Sequence, residues 1–376
     1  MPAVPDLAEI RSALATVNDP EIRRPITDIG MLGTVDVGAG GRVGVQIFLT
    51  VAGCPMKDTL TRDVTAAVAP VSGVTGVDVR LDVMSAEQRK TLQTTLRGDN
   101  PEPVIPFAQP GSLTRVYAIA SGKGGVGKSS VTVNLAVALA QRGLSVGVLD
   151  ADIYGFSIPR MLGVTGKPTQ VERMIMPPQA HGVRVISIGM FTPAGTPVVW
   201  RGPMLHRALQ QFLADVFWGD LDVLLMDLPP GTGDIAISVA QLVPSAEILV
   251  VTTPQQAAAE VAERAGAIAT QTHQQVVGVV ENMSWLELPG GGRMDVFGTG
   301  GGQVVADALT RTLGASVPLL GQVPLDPRLR ESGDSGVPLV LADPGAAASV
   351  ALRGVADTLG SRQRGLSGRS LGLTPR

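Results

Sequence analysis

The sequence predicts an α/β protein, a doubly wound and mostly parallel sheet preceded by a small α+β domain. Three observations carry that prediction. From residue 115 onward, six short segments (115–120, 145–150, 183–188, 222–227, 246–252 and 276–281) alternate with helix-length stretches. Most are apolar on both faces, as buried parallel strands must be. Before them, segments 42–51 and 77–83 alternate apolar with mostly polar residues, the pattern of a sheet with one wet face. Between the two regions, DNPEPVIPFAQPGS at 99–112 carries four prolines, which suits a semi-rigid linker.

The elements follow in order. Leu7, Ile10, Leu14 and Val17 recur at helical spacing over 6–17, and Asn18-Asp19-Pro20 turns the chain. The strand over 42–51 stops at Gly53-Cys54-Pro55, a helix over 56–68 follows, and the strand over 77–83 completes a domain spanning 1–98. After the linker comes a domain over 113–360, with helices at 129–142, stopped by Gly143, and at 204–217. The last sixteen residues, SRQRGLSGRSLGLTPR (361–376), have four arginines, many small residues and little periodicity, and are expected to be disordered.

Composition narrows the classes of function. A chain of 376 residues with 44% hydrophobic content can bury two cores. With 30 basic and 33 acidic residues the net charge is -3, so no basic field points to nucleic acid or an anionic membrane. No apolar run approaches about 18 residues, and MPAVPDLAEIRSAL lacks a signal-peptide core, so a cytoplasmic protein is expected. Cys54, the sole cysteine, excludes an internal disulfide and any site built from several cysteines of one chain. His181, His206 and His273 form no ligand pattern and read as surface or packing residues.

The chemistry concentrates where the strand over 115–120 meets the helix over 129–142. The connection reads Gly122-Lys123-Gly124-Gly125-Val126-Gly127-Lys128-Ser129-Ser130, a GxxxxGKS phosphate-binding loop between a strand and a helix. Backbone N–H groups of such a loop and the helix N-terminus cradle phosphate oxygens. Lys128 is the cation for the β- and γ-phosphates and Ser129 a Mg2+ ligand, so ATP and Mg2+ are the expected cofactors. Asp227, ending the strand over 222–227 before Leu-Pro-Pro-Gly-Thr-Gly-Asp, is the second Mg2+ candidate. Asp150-Ala151-Asp152 ends the strand over 145–150, and all parallel strands end at one edge, so Asp152 is a candidate to position the attacking water.

The KGGxGKS form of the loop resembles that of the MinD and ParA class, and the resemblance implies that Lys123 reaches across a nucleotide-sandwich homodimer as a third catalytic group beside Lys128 and Asp152. SGKGGVGKS, DADIYGFSIP, MDLPPGTGD, VVENMS and FGTGGG stand in the order seen in the Mrp family of iron-sulfur cluster carrier ATPases. DPE at 19–21 and TVAGCP at 50–55 resemble the small iron-sulfur assembly domain fused in front of such ATPases. The resemblance implies that Asn282 contacts the adenine edge, that Pro324 lines the base pocket, and that iron-sulfur donor or recipient proteins are partners. The chain departs from the family where two cysteines are expected, having Leu288 and Gly291 in ENMSWLELPGGGRMDVFG. A cluster needs about four thiolate or imidazole ligands, and a dimer offers two copies of Cys54. Cys54, at a strand-to-helix turn where thiolate is favoured, is the ligand candidate; a buried, inert cysteine is the alternative. The competing function is a MinD/ParA-like positioning switch.

Overall fold

The computed structural model describes residues 5–51, 56–97, 104–152, 155–191, 202–231, 234–255 and 258–362. Cys54, part of the linker, and the tail beyond 362 lie outside the described residues. Two compact units form, Met1–Pro103 with Pro168–Met176, and Val104–Lys167 with Pro177–Arg376.

In the first unit, α1 (Leu7–Leu14) is capped by Asp6, whose carboxylate accepts the Ala8 N–H at 2.9 Å, and it buries Ile10 and Leu14. A strand not read from the sequence, β1 (Leu32–Val37), pairs antiparallel with β2 (Arg42–Leu49). Its LGTVDV buries only Val35, too little alternation to register as a strand. The inward residues of β2, Val43, Val45, Ile47 and Leu49, are buried as the alternation requires. Leu60, Val64 and Val68 of α2 (Lys57–Val68) are buried too, and β3 (Gly76–Val83), which α2 contacts, runs parallel to β2 before α3 (Ala86–Arg97).

The Asp19-Pro20-Glu21 turn of this unit is built on a buried carboxylate. Asp19 Oδ1 accepts the N–H groups of Glu21 at 3.0 Å and Ile22 at 2.7 Å. Burial, and then the Asp19 charge, push the Glu21 carboxyl up to about 7 from 4.5. The folded state therefore binds the proton more tightly than the unfolded chain. That contribution is present below pH 4.5 and is lost as pH rises through about 7. Amide exchange over residues 18–26 is expected to speed up relative to Glu21→Gln between those limits; a difference that does not change with pH would refute this.

The second unit starts with β4 (Arg115–Ala120), α4 (Lys128–Gln141), β5 (Val146–Asp150) and the one-turn α5 (Ile158–Met161). The hairpin of β6 (Thr169–Val171) and β7 (Met174–Met176), which belongs to the first unit, interrupts it before β8 (Gln179–Ala180), β9 (Val183–Ser187), α6 (Gly202–Asp215) and β10 (Val223–Asp227). Then come α7 (Asp234–Leu242), β11 (Glu247–Thr252), α8 (Ala258–Thr272), β12 (Val276–Glu287), β13 (Arg293–Met294) and α9 (Gly301–Leu313). The unit closes with β14 (Leu319–Leu325), α10 (Pro327–Ser335), α11 (Leu339–Ala342) and α12 (Ala347–Ser361). The strand order is β13-β12-β11-β4-β10-β5-β9-β8, with β14 also on β12. All pairings are parallel except those of β8 and β13 at the ends.

Central position explains the all-apolar strands. Both neighbours of β4 are hydrogen-bonded to it, and Val116 to Ala120 are buried on both faces. The helix α4 buries every residue from Val131 to Leu139, because the sheet lies on one side and α12 on another. At about 2 kcal/mol per fully buried aliphatic side chain, this layer holds the loop before α4 on a rigid base. The strand β14 was not read from the sequence because LLGQVPL contains Gly321 and Pro324. Its bonding to β12 alone makes it an edge strand, where proline is tolerated.

Candidate nucleotide site

The strands β4, β10, β5 and β9 run parallel and in register, so their carboxyl ends bring Ala120, Asp227, Asp150 and Ser187 to one edge of the sheet. The glycine-rich loop leaves β4 at that edge and enters α4 at Gly127, whose φ of 78° places it in the left-handed region. A side chain there would be strained, and a Cβ would lie 2.3 Å from Asn282 Nδ2. The turn therefore admits glycine for two reasons.

Lys128, the first residue of α4, is 6% exposed, with Nζ 2.8 Å from Asp227 Oδ2. The geometry is that of an ion pair: among the described residues the buried ammonium has no hydrogen-bond partner. An ammonium carries three donors, and a buried one with donors to spare can accept a further oxygen ligand. Asp227 is fully buried and also accepts from Ser129 Oγ at 2.6 Å and Thr132 Oγ1 at 2.8 Å. Ser129 and Asp227 thus sit together as hard oxygen donors beside the cation, the donor chemistry that suits Mg2+. Thr132 escaped the sequence reading as an interior helix residue, although its spacing of four from Lys128 puts both on one face.

Asp150, which the sequence placed at its strand end without assigning it a role, ends β5 as Asp227 ends β10. It is fully buried, and burial, followed by the nearby Asp227 charge, pushes its carboxyl up to about 7. Asp152 stands two residues on, 9% exposed, and its Oδ1 accepts the Gly155 N–H at 2.9 Å.

The remaining candidates flank the loop. Asn282 is buried, donates Nδ2 to the Val126 carbonyl at 2.9 Å, and leaves Oδ1 buried without a partner among the described residues. Its strand neighbour in β14 is Val323, so the buried Pro324 lies one residue beyond that pairing. Lys123 is half-buried and donates to Gln255 Oε1 of its own chain, while Arg264 Nη1 donates to the Gly122 carbonyl at 3.0 Å. Gln255 and Arg264 carry no motif, and nothing in the sequence signalled them.

Two further segments that the sequence singled out have structural explanations. In FGTGGG, a Cβ on Gly302 would lie 2.7 Å from Glu281 Cβ, and the Gly302 N–H donates to Glu281 Oε2 at 2.6 Å. The glycine lets α9 begin directly against β12. Leu288 and Gly291 form the turn between β12 and β13, with the Gly291 N–H donating to the Leu288 carbonyl at 3.1 Å, and neither brings a metal-ligating side chain. Among the described residues, no group of three or more His, Cys, Asp or Glu side chains is placed to hold a metal ion. Among them also, no helix is long and apolar enough to cross a membrane.

With this geometry in place, comparison with known proteins is specific. The family described as NUBPL iron-transfer P-loop NTPase matches residues 112–360, and that described as iron-sulfur cluster assembly protein matches residues 7–79. An iron-sulfur cluster carrier protein of Mycobacterium tuberculosis is 69% identical over 368 residues, covering 98% of this chain and 97% of that protein. One from Bacillus subtilis is 39% identical over 329 residues, covering 84% and 87%. Among solved structures, a nucleotide-binding protein from Archaeoglobus fulgidus in complex with ADP is 35% identical, with a TM-score of 0.51, covering 61% of this chain and 92% of that one.

Proposed function

The chain belongs to the NUBPL-type iron-transfer P-loop NTPase family, with an iron-sulfur assembly domain in front, and from that premise we propose that it is an ATP-hydrolysing dimer that carries or helps assemble iron-sulfur clusters. The observation that carries the nucleotide half of this reading is the buried Lys128 ammonium, paired in charge with Asp227 but without a hydrogen-bond acceptor among the described residues. A phosphate oxygen is the acceptor it lacks. Residues 122–130 wrap the β- and γ-phosphates with backbone N–H groups, and Lys128 neutralises the charge that develops during transfer. Ser129 and Asp227 are the residues that would hold Mg2+, which would supply positive charge to the phosphate groups. Asp152 orients the attacking water. Asn282, with its amide fixed by Val126, presents a carbonyl acceptor to the base, and Pro324 lines the base pocket.

Lys123 supplies the second cation, in trans. Within one chain its ammonium is held by Gln255, so its transfer to a partner's phosphates requires that contact to break. Turnover then depends on dimerisation, as it does where an arginine finger is delivered by another protein. Lys123→Ala protein is expected to bind ATP with near-normal affinity and to lose turnover. Mixing it with Lys128→Ala protein is expected to restore activity to about a quarter of wild type. Half of the random dimers are mixed, and each mixed dimer has one complete site. No recovery on mixing, with Lys123→Ala impaired regardless of its partner, would place Lys123 in cis.

The cluster is cargo in this scheme. Leu288 and Gly291 provide no thiolate, so coordination falls to Cys54 of each chain, completed by a thiol or a donor or recipient protein.

A further inference from the structure

The catalytic reading above leaves unused one fully buried carboxylate at the same sheet edge. Among the described residues, Asp150 accepts three hydrogen bonds: Asp152 N–H on Oδ1 at 3.2 Å, and Ile158 N–H and Ser187 Oγ on Oδ2 at 3.3 and 3.1 Å. It therefore ties together the two ends of the segment 152–158, which begins with the proposed water-positioning Asp152. Ser187 in turn accepts the Gly189 N–H at 3.2 Å, so the same carboxylate also anchors the turn after β9. On its other side, Asp150 is in register with Asp227, and the Asp227 carbonyl accepts the Ala151 N–H at 3.0 Å. Asp227, Asp150 and Ser187 end three adjacent strands side by side, and the Asp150 carboxylate is bonded to Ser187.

Resting on the ATPase reading, we propose that Asp150 is a positioning residue: its carboxylate holds Asp152 at the reacting phosphate without itself touching nucleotide. Burial alone would be met by any well-packed side chain at this place. Three donors converging on one carboxylate are not, because an amide offers one oxygen and adds an NH2 group that would face at least one of them. Loss of such anchoring shifts a catalytic group without removing it, and misplacement on the scale of an ångström costs about 100-fold in rate.

The test is a double-mutant cycle on the full-length protein, read as single-turnover ATP hydrolysis together with ATP affinity. Asp150→Asn is expected to lower the rate about 10- to 100-fold, with affinity within about twofold of wild type. In an Asp152→Asn background the same change is expected to have little further effect, because the group it positions is already gone. A general structural defect would lower the rate equally in both backgrounds, and that result would overturn the proposal, as would weakened ATP binding at unchanged rate. Should Asp150→Asn fail to fold, Ser187→Ala removes one of the three donors and is read in the same cycle, with a smaller but equally non-additive effect. Failure of the underlying reading looks different. Wild-type protein would then not hydrolyse ATP, or Asp152→Asn would leave its rate unchanged.

Discussion

Lys128→Ala protein is expected to lose ATP turnover by at least about 100-fold, because the cation that stabilises charge on the transferred phosphoryl group is gone. The same change should lower stability. Asp227 is fully buried, next in register to the equally buried Asp150, and Lys128 is the ammonium paired with it. Removing one member of a buried pair strands the other, at a cost of about 3 kcal/mol. The hydroxyls of Ser129 and Thr132 remain on Asp227 and offset part of that. Lys128→Ala/Asp227→Asn removes the stranded charge and is expected to regain most of the lost Tm while staying inactive. Phosphate release and thermal melts on the two proteins separate the catalytic from the structural role. Steady-state turnover unchanged in Lys128→Ala would reject the nucleotide site.

The second large effect is expected at Cys54. After anaerobic reconstitution with iron and sulfide, and with an added thiol or partner protein to complete the ligand set, Cys54→Ala should retain no cluster and Leu288→Ala should retain as much as wild type. The argument is one of ligand count: the chain has one cysteine, and the turn carrying Leu288 and Gly291 offers none. Iron and sulfide content per dimer, with the visible absorption of the cluster, is the readout. A stoichiometric cluster that survives Cys54→Ala without added thiol would defeat the assignment, leaving the ATPase reading intact because its residues lie in the other unit.

Much of the site was legible in one dimension because its chemistry is local. Residues 122–130 form one continuous turn between a strand and a helix, and a glycine at 127, a lysine at 128 and a hydroxyl at 129 are informative by adjacency alone. Asp227 was legible because a carboxylate ending an all-apolar strand has few other uses. The parallel sheet was legible from its doubly apolar strands, whereas β1 and β14 were not. One of these lacks alternation and the other contains the two residues that usually break strands.

What the amino-acid sequence by itself determined is the phosphate loop, the doubly wound class and the shortage of thiolates, since each follows from residue types at short spacing or from a count. Only the tertiary structure decided that Lys128 pairs with Asp227, that Thr132 shares that carboxylate, that Gln255 holds Lys123, and that Asp150 gathers two loops. These contacts join residues up to 132 positions apart. The register of parallel strands and the packing of α8 beside the loop bring them together, and long-range placement of that kind leaves no periodic trace in the chain.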